Sequence, residues 1–348
     1  MKKYKVGIIG YFAKGKSKAG GQEAKTCAIE RGMIEKYGKK AVYRVDTTDW
    51  KKNPFSLLAR MVFMVARCQN IIILPAQNSL KVFVPFFTFI NLFFNRKLFY
   101  SVVGGWLPDF LEKNGKLLKK CQKLNGIFVE TESMMFKLNS IGVNNVLVIP
   151  NFKYLVPLQQ KELSYSIQKP YRICTFSRVM KEKGIEDIIA AIEKINECSK
   201  SIIFQLDIYG KVDDGYVVEF KKMKEKFPKY IQYAGMVEPN QSIEIIRDYF
   251  ALIFPTRYYT EGVPGTLIDA CMAGVPVISA KWGNYRDVLI ENKTGWGYEF
   301  GNQEALLKIL KRLVASPEEF VKMKGTTLEE ARRYMPKCNI EKMTQYFD

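Results

Sequence analysis

Residues 253–280, IFPTRYYTEGVPGTLIDACMAGVPVISA, constrain the fold more than any other stretch. They read as strand, loop, helix, strand. An apolar run closes in Ile-Phe-Pro, and Gly262, Pro264 and Gly265 then break the chain. From Thr266 to Ala273 the apolar residues Leu267, Ile268, Cys271 and Met272 follow helical spacing. Gly274 is a helix stop, and VPVIS is a short β-branched strand. Two strands joined by a crossover helix belong to a parallel sheet. The loop Gly262, Val263, Pro264, Gly265, Thr266 feeds a helix N-terminus, which offers free backbone N–H groups and a positive dipole end. That suits an anion. Glu261 and Asp269 flank the loop with seven residues between them. A carboxylate beside an anion site is costly unless it binds hydroxyls on the same ligand. Phosphates and hydroxyls on one molecule suggest a nucleotide-sugar.

The rest of the chain repeats the strand-loop-helix alternation, which implies parallel sheets. KVGIIGY is a first strand. Gly20 and Gly21 precede a helical stretch with Ala24, Cys27, Ala28 and Met33 on its apolar side. The dinucleotide fingerprint G-x-G-x-x-G is missing, so a tight turn and a ligand loop both stay open; Lys14, Lys16 and Lys18 add positive charge nearby. Residues 55–67 read as a helix. The Phe-rich residues 82–95 are too short to span a bilayer, which needs about 20 apolar residues. They fit either a core helix or a helix presenting Phe to a membrane surface between basic flanks. A strand over residues 98–103 runs into Gly104, Gly105 and Trp106, at the strand end where open α/β sheets bind ligands. Trp106 suits stacking on a sugar or filling a cleft, and Asp109 suits either a polar contact there or a solvated helix start. Polar residues 156–170 read as a linker. In the second half, Arg178 and Lys183 bracket a strand-to-helix turn: Arg is a forked phosphate donor and Lys a mobile charge. Another strand ends at Gly210.

Residues 1–160 hold 26 Lys+Arg against 9 Asp+Glu, a net of +17, and residues 161–348 hold 28 against 26, a net of +2. The basic half favours anionic partners. There is no His, which removes His-ligated zinc, Ser-His-Asp hydrolysis and His acid/base chemistry. Seven scattered Cys without a Cys-x-x-Cys pair point to reduced thiols in a cytoplasmic protein. The start, MKKYKVGIIGYF, is expected to be a strand and not a secretory signal.

EGVPGTLIDACMAGVPVIS resembles the signature of the family-4 glycosyltransferases, which have the GT-B fold. Asp269 stands where that family usually has Glu; it keeps the charge with one methylene less. The resemblance implies an α/β protein of two Rossmann-like domains whose parallel sheets face across a cleft. Residues 1–155, joined by a C-terminal helix over 330–348, would bind the acceptor. Residues 171–329 would bind the nucleotide-sugar. It further implies that Arg178 and Lys183, spaced Arg, four residues, Lys, Gly, bind the diphosphate. Asp269 would accept from ribose hydroxyls and Glu261 from sugar hydroxyls. Gly235, Met236 and Val237 would lodge the nucleobase, and Gly20 and Gly21 would face the cleft. Many family members carry a His near residue 104; this chain has none.

The expected activity is a retaining hexosyl transfer from a nucleotide-sugar to a glycan or a polyprenyl-diphosphate-linked acceptor. Retention would follow from front-face departure, with a donor phosphate oxygen taking the acceptor's proton. No Asp-x-Asp motif occurs, so no metal and no cofactor are expected. The expected setting is bacterial surface polysaccharide assembly (capsule or lipopolysaccharide), in the cytoplasm or peripherally on the inner membrane face, with an anionic membrane surface as partner. Two alternatives remain: a 2-epimerase or hydrolase of the same fold, and a non-catalytic anion or nucleic-acid binder. The basic half permits nucleic acid electrostatically. No reader motif appears, so no nucleic acid is expected.

Overall fold

Six apolar runs of the first half assemble into one parallel sheet. The computed structural model describes residues 3–13, 20–48, 50 and 52–347. The chain divides into two units, Met1–Tyr154 with Arg333–Asp348, and Leu155–Arg332. The first unit holds β1 (Tyr4–Gly10), β2 (Val42–Asp46), β3 (Cys68–Leu74), β4 (Lys97–Ser101), β5 (Gly126–Val129) and β6 (Val146–Val148). Their order is β2-β1-β3-β4-β5-β6, with every pairing parallel. Helices cover both faces, so the central strands are near-continuous apolar runs. Side chains still alternate between the faces. In β5, Ile127 and Val129 enter one core and Phe128 the other. Helices Pro54–Arg67 and Gln77–Ile90 close the first core through Met64, Val65, Val84 and Phe87. Helices Gly21–Tyr37 and Pro336–Thr344 close the second through Ile29, Met33, Ile340 and Met343.

Helix Gly21–Tyr37 departs in part from the expected pattern. Ala24 is exposed, whereas Met33 is in the core and the half-buried Cys27 and Ala28 pack against it as expected; Lys25, Thr26 and Ile29 are buried as well. The cause is an ion pair: Lys25 Nζ lies 2.7 Å from Glu130 Oε1 and donates to Val102 O at 2.7 Å. Glu130 follows β5 and Val102 follows β4, so the pair ties the helix to the carboxyl ends of two strands. The stretch 82–95 has a core side, as one of the two readings expects, and an exposed side. It occupies the end of Gln77–Ile90 and the 3₁₀ turn Asn91–Phe93. Val84 and Phe87 are buried, while Phe89, Leu92 and Phe93 are exposed. Lys14, Lys16 and Lys18 lie outside the described residues.

The second unit holds β7 (Tyr171–Phe176), β8 (Phe204–Tyr209), β9 (Ile231–Gly235), β10 (Ala251–Phe254), β11 (Val277–Ala280) and β12 (Gly295–Tyr298). They run parallel in the order β12-β11-β10-β7-β8-β9. Helices Ile185–Glu197 and Gln303–Ala315 share its core through Ile188, Ile192, Leu306 and Leu310. Residues 156–170 group with this unit. Leu158 N–H donates to Met272 O at 2.9 Å, and Lys324 Nζ to Ser164 O at 2.7 Å. The chain steps outward from β7 to β9, then returns to place β10 on the other side of β7. Helices after β7 and after β10 therefore leave on opposite faces, and a crevice opens at the carboxyl ends of these two strands.

The Lys25–Glu130 pair is nearly solvent-free, with side-chain exposures of 1% and 2%. Lys25→Met alone leaves a buried carboxylate and should lower the unfolding free energy by about 3–5 kcal/mol. Lys25→Met combined with Glu130→Leu should recover most of that loss. Denaturant titration of the three proteins checks both, and equal stability of the two variants would contradict the assignment.

Candidate active site

The crevice between β7 and β10 is built by the loops that leave them. After β7 come Ser177, Arg178, Val179 and Met180, then the 3₁₀ turn Lys181–Lys183, then Gly184 and helix Ile185–Glu197. Gly184 is left-handed at φ 64°, and a Cβ there would fall 2.0 Å from Pro255 O. Gly210, at the end of β8, has φ 129°, and a Cβ there would fall 1.8 Å from Ser177 O. Glycine at both points lets three loops meet backbone to backbone. Gly210 N–H also donates to Gly235 O at 2.9 Å, which adds the end of β9.

Side chains then lock the β7 and β10 loops together. Arg257 donates two hydrogen bonds to Asp187, at 2.9 and 2.7 Å, and lies 3.4 Å from Glu186. Its backbone N–H donates to Glu182 O at 2.8 Å. The Asp187 hydrogen bonds raise the pKa of the guanidinium, so Arg257 stays a cation. Glu186 and Asp187 also sit in the first turn of their helix, where negative charge suits the dipole.

Glu261 is held between the two loops. Its Oε1 accepts from Lys183 Nζ and, at 3.1 Å, from the Thr256 hydroxyl. Asn284 Nδ2 donates to the Glu261 carbonyl at 2.7 Å and fixes the backbone. Lys183 Nζ stands 5.4 Å from the Phe254 ring centroid, a cation–π arrangement. Gly262 and Val263 are buried, and helix Gly265–Met272 begins behind Pro264 with no side-chain cap. The hydroxyl of Thr266 is shielded from solvent and has no hydrogen-bond partner among the described residues. A helix start without a side-chain cap and an orphaned hydroxyl are groups that suit an anionic, hydroxylated ligand.

The structure brings together Lys183, Glu261 and the loop running to Thr266. Arg178 is exposed on the β8 side of the same turn, 3.5 Å from Asp213. Asp269 is buried in the body of its helix. Met236 is exposed and Val237 half-buried beyond β9. In the first unit, Gly20 and Gly21 open helix Gly21–Tyr37, and Val103 lies beside Gly21. Gly104 is left-handed at φ 85°, with Gly105 next to it. Trp106 donates its indole N–H to Val103 O at 2.8 Å and meets the Phe110 ring edge-on. Asp109 is exposed in the first turn of Leu107–Glu112. Sequence reasoning missed Arg257, Asp187, Thr256 and Asn284. Thr256 stood open to it, since it directly follows the Ile-Phe-Pro strand end. Arg257 and Asp187 are 70 residues apart, and no local pattern announces such a pair. Among the described residues, no group of three or more His, Cys, Asp or Glu is placed to hold a metal ion.

Residues 159–329 match the model of the family "Glycosyl transferases group 1". A curated relative, the amylovoran biosynthesis glycosyltransferase AmsK of Erwinia amylovora, is 24% identical over 167 residues. That alignment covers 44% of this chain and 38% of the relative, so this chain spans well under half of that protein. The crystal structure of Anabaena HepE in complex with UDP superposes with a TM-score of 0.75 at 13% identity, covering 98% of both chains. A glycosyltransferase from Rickettsia africae gives 0.74 at 15% identity, covering 100% of this chain and 98% of the other. Sucrose-phosphate synthase from Thermosynechococcus elongatus gives 0.74 at 14% identity, covering 98% of both. With its two six-stranded parallel sheets this chain has the GT-B fold, and its second unit is similar to the glycosyl transferases group 1 family.

Proposed function

We propose that this protein is a retaining, metal-independent hexosyltransferase that moves a sugar from a nucleotide-sugar to a glycan or a polyprenyl-diphosphate-linked acceptor. One observation carries the reading: the Lys183–Glu261 pair sits beside an uncapped helix start at the strand-order reversal of the second sheet. A departing nucleoside diphosphate gains negative charge as the glycosidic bond breaks. Lys183, Arg178 and the N–H groups at Gly265 and Thr266 are the groups that stabilise it. The Glu261 carboxylate has lone pairs beyond its contacts with Lys183 and Thr256, and these accept from sugar hydroxyls. Thr256 holds that carboxylate in place, and Asn284 fixes the Glu261 backbone. The Lys183 and Glu261 side chains keep exposures of 19% and 14%, so donor binding exchanges their mutual contact for contacts with phosphate and sugar. Asp269 takes the ribose hydroxyls, and the β9 end at Met236 and Val237 takes the base.

HepE has been crystallised with UDP and with UDP-glucose, and AmsK is named for the biosynthesis of a polysaccharide. A UDP-sugar donor and a role in bacterial surface polysaccharide assembly at the inner membrane face are the corresponding proposals here. A thermal-shift screen against UDP-, GDP- and ADP-sugars tests the donor class. One base series should raise the melting temperature in a concentration-dependent way, and no shift with any of them would refute nucleotide-sugar binding.

Lys183→Ala and Arg178→Ala should each lower turnover about a hundredfold or more, the effect of losing a charge-assisted contact to the leaving group. Rates within tenfold of wild type for both variants would remove these residues from the mechanism. Glu261→Gln should reduce sugar transfer more than nucleotide affinity, as read by initial rates beside calorimetry with the free nucleoside diphosphate.

A further inference from the structure

Helix Pro54–Arg67 is apolar on two sides. Met61, Met64 and Val65 enter the core beneath it. Phe55, Leu58, Val62 and Phe63 recur at i, i+3, i+7 and i+8 on the opposite side, with exposures of 83%, 46%, 38% and 39%. The adjoining helix Gln77–Ile90 and turn Asn91–Phe93 repeat the arrangement. Leu80, Val84 and Phe87 point inward, while Val82, Phe89, Leu92 and Phe93 are 65%, 58%, 77% and 73% exposed. A helix apolar all round is ordinarily covered on every side. Single exposed apolar residues are normal, but eight of them on two neighbouring helices and the adjoining turn, over one core, mark a docking surface.

Charge selects the occupant. Residues 50–108 contain seven Lys or Arg and no Asp or Glu. Arg67 lies 5.9 Å from the Phe63 ring centroid, and Lys81 is exposed beside Val82. A second copy would bring the same two helices, which carry cations and no acidic residue, against themselves, with a formal charge of +19 on each chain. An anionic bilayer offers acidic headgroups for the cations and a hydrocarbon boundary for the rings. Among the described residues no helix is long and apolar enough to cross a membrane, so the contact lies in the plane of the surface.

We propose that these two helices dock the first unit onto an anionic lipid surface. Phe55, Phe89, Leu92 and Phe93 enter the headgroup–acyl boundary, and Arg67 and Lys81 meet the lipid phosphates. The surface shares no residue with the Lys183–Glu261 site, and vesicle binding is read without any sugar substrate, so either proposal can fail alone.

The test is co-sedimentation of the full chain with vesicles of phosphatidylcholine alone or mixed with phosphatidylglycerol. Binding to the anionic vesicles should exceed binding to the neutral ones by about tenfold and fall as salt rises. Phe55→Ser combined with Phe93→Ser should lower anionic-vesicle binding about tenfold, and Arg67→Glu with Lys81→Glu should do the same. Far-UV circular dichroism and the thermal midpoint should stay unchanged, because the altered side chains are exposed. Absence of vesicle binding, or variants that bind like wild type, would overturn the proposal. So would a lipid-free dimer in sedimentation velocity that the double Phe variant dissolves.

Discussion

The reversal of strand order between β7 and β10 decides where chemistry can sit in the second unit. Connections on either side of that point leave on opposite faces of the sheet, so no helix covers the carboxyl ends of the two strands. The contacts of Arg257 with Asp187 and with the Glu182 carbonyl hold the two emerging loops at a fixed separation. Gly184 removes the side chain that would force them apart, and Gly210 does the same between the β7 and β8 loops. Arg257, bidentate on Asp187, clamps one loop to the helix that follows the other. Glu261 and Lys183 then meet on this scaffold without having to build it.

Burial separates two ion pairs that look alike on paper. Lys25 and Glu130 are sealed in the first unit, where losing one partner strands a charge. Lys183 and Glu261 remain partly in contact with water, so their mutual attraction is screened and each can be re-solvated or re-paired at modest cost. The first pair is therefore architecture: it fixes a helix to two strand ends. The second is suited to exchange, because a ligand carrying phosphate and hydroxyl groups satisfies both members at once.

Much of this was legible in the sequence because its cause is local. The alternation of apolar runs with helical stretches predicts parallel sheets, and the glycines and Pro264 mark the loop from Glu261 to Thr266. Lys183 and Glu261 were legible as separate candidates, each beside a chain break. What stayed hidden depends on long-range contact or on three-dimensional exposure. Lys25 reads as one more surface cation on a helix, since Glu130 lies 105 residues away. The buried face of Gly21–Tyr37 includes Met33 and takes in Cys27 and Ala28 at its border, but its extension to Lys25 depends on that distant partner. The helix over residues 54–67 carries apolar residues at nearly every turn position, so periodicity could not say which side faced the core.

The two units divide the physical labour along the same line as their charge. The nearly neutral second half concentrates its few decisive charges at the strand-order reversal, where opposed carboxylates and cations hold one another in register. The basic first half spends its excess charge differently. The sealed Lys25–Glu130 pair ties a helix to the carboxyl ends of β4 and β5, while the cations around helices Pro54–Arg67 and Gln77–Ile90 stay at the surface among exposed aromatic rings. Exposed rings without cations would favour self-association, and cations without rings would favour any polyanion. Their combination on one face, with no acidic residue among them, selects for a boundary that is both anionic and apolar.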